Sequence, residues 1–193
     1  YFKPIRTHGM KKRRLIPVLL LKNGWLVQSK GFKRHQNLGD PVTAVMRLSQ
    51  WASDEIIYLD ISRDSKYDRM RSDLNAENRK TFVEIVRDVS SQTFMPLTIG
   101  GGLRNLKDIE LRLRNGADKV ALNTGIFLND KFVEDAAKEF GSQCIVVSVD
   151  YRNEGNSWRV YSHYGQKGSS QDLETWCLKM ADSGAGEILM NSI

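Results

Sequence analysis

RRLIPVLLLKNG at residues 13–24 and SQCIVVSVDYRNEG at residues 142–155 are the two stretches on which the fold turns. Each is a short apolar run closed by a polar, glycine-containing turn, the pattern of a buried strand leaving a sheet. A second pair echoes them, DEIIYLDI at 54–61 and GEILMNSI at 186–193. The offsets agree: Asp150 follows Leu20 by 130 residues, and Glu187 follows Glu55 by 132. Between the copies lie two more apolar runs, 96–99 ending in Gly100-Gly101-Gly102, and 119–122. Segments with helical spacing separate the runs, at 42–52, 82–89, 106–113, 132–140 and 173–181. Apolar strands alternating with amphipathic helices imply an α/β fold with a parallel sheet covered by helices. A doubly wound open sheet shares that local pattern, but GGG at 100–102 lacks the GxGxxG spacing of a dinucleotide site. The half-length repeat instead points to a (β/α)8 TIM barrel, made of one half of four βα units and the start of a second. Two halves need ~250 residues. The expectation is therefore a partial barrel over 13–193, about six of eight units, truncated after the sixth strand. Residues 158–162 alternate like half of a small excursion hairpin, and residues 1–12 read as a basic tail or vector-derived residues.

Composition narrows the class. The chain has 193 residues, 40% hydrophobic and 27% charged, which suits one filled core. No apolar run approaches the ~20 residues of a membrane span, and no signal peptide is visible at the start. Only Cys144 and Cys177 occur, so neither a disulfide framework nor a metal site is expected, nor any cofactor. A cytoplasmic protein without membrane contact is the expectation. The net charge of +6 gathers partly at Lys3, Arg6 and residues 11–14, read as a solvated tail rather than a nucleic-acid surface. His8, His35 and His163 read as surface residues, and Trp25, Trp51, Trp158 and Trp176 as core or cover.

Active sites of this fold sit at the C-terminal strand ends. Gly101 and Gly102 let backbone N–H groups approach an anion, and Asn123 and Thr124 end the next strand with side-chain donors, a combination suited to one phosphate. Asp150 ends an apolar strand, where a carboxylate serves general acid–base chemistry or caps the following loop. Asp60 has the same position at the end of the second strand and either contacts substrate or orients loops. Asn191 stands at the end of the sixth strand. At the opposite ends, Arg14, Glu55, Lys119 and Glu187 precede or begin the first, second, fourth and sixth strands. Bottom-face residues usually stabilise, which makes these four an ion ring. A ring plugging an apolar bore also has the form of a gate for a small neutral molecule.

RRLIP, the LKNG turn, GDPV, DEIIYLDIS, PLTIGGGLR, GADKVALNT, FGSQCIVVSVD and GAGEIL together resemble the cyclase subunit of imidazole glycerol phosphate synthase, HisF, over residues 13–193. The resemblance implies a (β/α)8 barrel that receives ammonia from a glutaminase (HisH-like) subunit and uses it on a phosphorylated small molecule. It implies that Arg14, Glu55, Lys119 and Glu187 are the ammonia gate, and that Asp118 lies near the glutaminase interface. It also implies phosphate contacts at Gly102, Asn123 and Thr124, and a catalytic role for Asp150. The family's other catalytic aspartate falls at Leu20, its loop-one lysine at Gln28 with Lys30 nearby, and a strand-six threonine at Asn191. Leucine transfers no proton. The chain thus looks like the divergent HisF-like proteins of surface-polysaccharide clusters, which help amidate a sugar. The alternatives are a genuine cyclase of histidine biosynthesis and a non-catalytic scaffold that activates a glutaminase.

Overall fold

The computed structural model describes residues 13–30, 34–51, 53–63, 67 and 80–193. The basic start at 1–12, His8 within it, and Ala52 at the end of the first expected helix lie outside the described residues. The elements run β1 (Val18–Lys22), β2 (Trp25–Lys30), β3 (Arg34–Gly39), α1 (Pro41–Gln50), β4 (Ile56–Asp60), α2 (Phe82–Ser91), β5 (Leu97–Gly100) and α3 (Leu106–Arg114). They continue with β6 (Lys119–Leu122), α4 (Phe132–Phe140), β7 (Ile145–Asn153), β8 (Trp158–Ser162), β9 (Lys167–Asp172), α5 (Leu173–Asp182) and β10 (Glu187–Ser192).

Helix starts follow from the sequence. The Asp40 carboxylate accepts from the N–H groups of Val42 and Thr43, with Pro41 filling the first turn. Asn105 and Asp172 cap α3 and α5 in the same way. Each such cap stabilises its helix by about 1 kcal/mol.

Six strands, β1, β4, β5, β6, β7 and β10, pair in parallel in that order. Alternation sorts their side chains. Leu21, Ile56, Tyr58, Leu97 and Ile99 pack against Val45, Phe82, Ile85, Val86 and Val89 of α1 and α2. Val120, Leu122, Ile145, Val147 and Val149 pack against Ile109, Val133, Ala136, Trp176 and Met180 of α3, α4 and α5. The intervening residues, among them Leu20, Glu55, Thr98, Lys119, Ser148, Asp150, Glu187 and Asn191, therefore share the opposite face, which lines the bore. No pairing of β10 to β1 closes the barrel among the described residues. The sheet is nonetheless strongly rolled, because Arg14 below β1 reaches Glu187 on β10.

Two antiparallel excursions add strands. β2 and β3 form a hairpin on the free side of β1, and β8 and β9 form one beside the upper half of β7. Only β8 is expected from the sequence. Trp51 and Trp158 are the other departures, at 73% and 49% exposure instead of joining a core, whereas Trp25 and Trp176 are buried. Among the described residues, no helix is long and apolar enough to cross a membrane.

Candidate active site

Two groups of polar residues mark the ends of the bore. At the lower end, Lys119 Nζ donates to Glu55 Oε2 at 2.9 Å and to Glu187 Oε1 at 2.8 Å. Arg14 pairs with Glu55 and reaches Glu187 Oε1 at 3.3 Å. Burial works against the Lys119 charge, but its bonds to Glu187 and Glu55 outweigh that and hold the ammonium above its usual range. The same bonds, with Arg14, outweigh burial at Glu187 and hold its carboxyl low. Two cations and two carboxylates thus satisfy one another. Asp118, beside the ring and exposed, accepts from the N–H of Leu97 at 2.8 Å and so pins the start of β5.

At the upper end, Asp150 is buried. Asn123 Nδ2 donates to its Oδ2 at 3.0 Å, and Asn191 Nδ2 to its Oδ1 at 2.7 Å. Burial raises the Asp150 pKa, and the Asn191 and Asn123 bonds oppose the rise without cancelling it. Asn123, expected to offer its side chain to a phosphate, meets Asp150 with its amide nitrogen. Its Oδ1 is buried and accepts from no group among the described residues.

Gly101 lies at φ +106, and a Cβ there would stand 2.2 Å from the Asp60 carbonyl oxygen, so only glycine fits. Gly102, at φ +69, has open space where a Cβ would be. Thr124 accepts at Oγ1 from the backbone N–H of His163 at 3.4 Å, because the β8–β9 turn folds over the end of β6. That turn places His163 and Tyr164 in the left-handed region, at φ 53 and φ 59. His163 Nδ1 sits 2.9 Å from Ser162 Oγ. No motif in the sequence announces this neighbour of Thr124.

Asp60 is not part of the Asp150 group. Its Oδ1 accepts from Ser62 N and Oγ, and its Oδ2 from the Tyr67 hydroxyl at 2.7 Å. It shares the outward parity of Tyr58 and anchors the loop after β4. Among the described residues, no group of three or more His, Cys, Asp or Glu could hold a metal.

Register decides what faces Asp150. In an eight-stranded barrel with a shear of eight, a level path advances one residue for each strand crossed. The ring tests this rule. Extended down to Glu55, the β4–β5–β6 register meets residue 117, just before β6, and two strands crossed add two residues, giving Lys119. Extended by one residue at β7 and two at β10, the register sets Lys119 against residue 185, and two more give Glu187. Those three are in contact. Applied to β1, pairing carries Leu20 through Leu59, Gly100 and Ala121 to Val146. Four strands crossed add four residues, which is Asp150. Leu20 and Asp150 are level on the bore face.

The family model described as histidine biosynthesis protein matches residues 14–193. The chain belongs to that family. Among its curated relatives is the imidazole glycerol phosphate synthase subunit HisF of Dehalococcoides mccartyi, 41% identical over 184 residues, which are 95% of this chain and 68% of the relative. The subunit of the same name from Streptococcus mutans is 40% identical over 185 residues, 95% of this chain and 69% of its own. Family membership accords with the rolled parallel sheet and with the resemblance read from the sequence. This member of the histidine biosynthesis family is thus an enzyme homologue of synthase subunits, with a leucine level with Asp150 at the upper end of the bore.

Proposed function

We propose that the protein is a HisF-type synthase subunit that takes ammonia from a glutaminase partner through the charged ring and adds it to a phosphorylated substrate held beside Asp150. The phosphate contacts in this reading are the backbone at Gly101 and Gly102, and Thr124. Asn123 and Asn191 hold the carboxylate. We further propose that the acceptor chemistry is amidation of a sugar rather than closure of an imidazole ring. The observation that carries this part is Leu20, level with Asp150, where a second carboxylate would be needed to give a proton while the first takes one. General acid–base help of that kind is worth ~10²–10⁴-fold. The genuine cyclase is the second reading, favoured by relatives at 40–41% identity that all bear the HisF name.

The test is turnover of the histidine-pathway ribonucleotide with ammonia, by the natural protein and by Leu20→Asp. Amidation predicts an inert natural protein and activity gained by the variant. A cyclase-like rate in the natural protein establishes the second reading. Turnover by neither, with a glutaminase partner still bound and activated, leaves a scaffold.

Partner docking at the lower face draws support from apolar residues in the loops entering the strands. Leu15 and Trp51 are 64% and 73% exposed, and Phe94 is fully exposed. Aromatic anchors around an opening are typical of binding hot spots. Trp51→Ala is expected to weaken glutaminase binding about 10–30-fold, the effect of roughly 1.4–2 kcal/mol, when titrated by calorimetry. Unchanged affinity in both Trp51→Ala and Phe94→Ala places the partner elsewhere.

A further inference from the structure

Asp150 has its two carboxylate oxygens covered by two different side-chain amides, one from each neighbouring strand. Asn123 follows β6 and gives its N–H to Oδ2 at 3.0 Å; Asn191 lies in β10 and gives its N–H to Oδ1 at 2.7 Å. A protonated carboxyl would set an O–H against one of these N–H groups and lose that bond, so the pair selects the ionised form. The Asn123 amide has little freedom to reverse, since that would bring its carbonyl oxygen against the carboxylate.

We infer that Asn191 is a positioning residue whose amide, acting with that of Asn123, keeps Asp150 a proton acceptor, so that the site takes a proton from the incoming nitrogen and, among the described residues, has no matching carboxyl level with it to donate one. The inference rests on the ammonia-using reading above and specifies the chemistry of its site. As nitrogen bonds to an electrophilic carbon of the acceptor, its lone pair becomes the new C–N bond and the nitrogen becomes cationic. It then gives a proton to an Asp150 oxygen, leaving a neutral amine and a neutral carboxyl. The electron pair displaced from carbon goes to the acceptor's own oxygen or departing phosphate, neither of which needs a proton from Leu20. The class of reaction is amination of an already activated carbon.

Among the described residues, other ionisable groups on this face are committed elsewhere; Lys22 on β1 has its Nζ 3.1 Å from His35 Nδ1. Tyr161, paired with Asp150 on β8, gives its hydroxyl to Glu154. Arg152 on β7 lies over the Tyr161 ring at 4.8 Å, and Arg159 on β8 pairs with Glu154 at 3.0 Å. Lys119 on β6 and Glu187 on β10 are bound to each other at the lower end of the bore, and β1 presents Leu20. His163, beyond β8, has Nδ1 on Ser162.

The experiment is a carboxyl 13C NMR titration of Asp150 in the full chain, for the natural protein, Asn191→Leu and Asn191→Thr. Loss of one hydrogen bond to a charged group is expected to move the Asp150 midpoint upward by about one to two pH units in Asn191→Leu. Threonine, which restores a donor, is expected to return it most of the way. A midpoint that stays put in Asn191→Leu while the thermal transition shows a folded protein overturns the inference, as does a threonine variant that titrates like leucine. The titration needs no substrate, so failure of the synthase reading is seen separately, as absence of ammonia-dependent turnover in a natural protein whose Asp150 titrates as expected.

Discussion

Replacing Asp150 with Asn is expected to lower ammonia-dependent turnover about 10²–10⁴-fold, the usual worth of a positioned proton acceptor. Binding of inorganic phosphate should survive, because Gly101, Gly102 and Thr124 do not depend on the carboxylate. The pH dependence of stability should change as well. Burial raises the Asp150 pKa above 3.8, with the Asn191 and Asn123 bonds only partly opposing it. Between the unfolded and folded values the native state binds more protons, so stability falls as pH rises through that window and stays lower above it. Asp150→Asn removes that pH dependence, but it sets its own NH2 against the N–H of Asn123 or Asn191 and loses one of the two bonds. The natural protein should therefore gain stability relative to the variant in urea unfolding as pH is lowered from neutral to well below 3.8, where its carboxyl is neutral in both states. A variant that keeps full turnover would mean that Asp150 holds the upper bore together rather than serving chemistry.

How far the sequence reaches is clearest from particular elements. β6 and α4 match their expected limits, because each is bounded by unmistakable signals: Asn115-Gly116 before β6, and Gly141 after α4. The ring was also visible, since charged residues at strand starts are conspicuous beside apolar runs. β3 and β9 were not, because RHQNLG and KGSSQD are polar hairpin arms with no buried face and therefore no alternation to read. The role of Asn123 was hidden for a different reason. Its residue type suits a phosphate or a carboxylate equally, and only the fold brings Asp150, 27 residues later, within reach of its amide. Leu20 shows a limit of a third kind. The repeat offset of 130 already set it against Asp150, but that pairing is only sequence symmetry. Register and shear turn it into a statement about height in the bore.

The lower ring offers the other large effect. Glu55 is buried and holds both Arg14 and Lys119, so Glu55→Gln leaves two cations facing Glu187 alone. Breaking a buried ion pair costs about 3–5 kcal/mol when the stranded charge has no other partner. Here Lys119 keeps Glu187, and Arg14 is half in solvent at 44% side-chain exposure, so a loss of about 2–3 kcal/mol in urea unfolding is expected. The pH dependence follows from the shifts. Glu187 is held below 4.5, so its contribution is present above that value and is lost as pH falls through its folded pKa. Lys119 is held above 10.5, so its contribution is present below that value and is lost as pH rises through its folded pKa. The difference between natural protein and variant should therefore be level from about pH 5 to 10. Function separates a plug from a gate. If ammonia crosses here, Glu55→Gln should depress glutamine-driven turnover relative to turnover with added ammonium chloride, because only the former must pass the ring. An unchanged ratio alongside the stability loss would make the ring a satisfied plug, with ammonia entering from above.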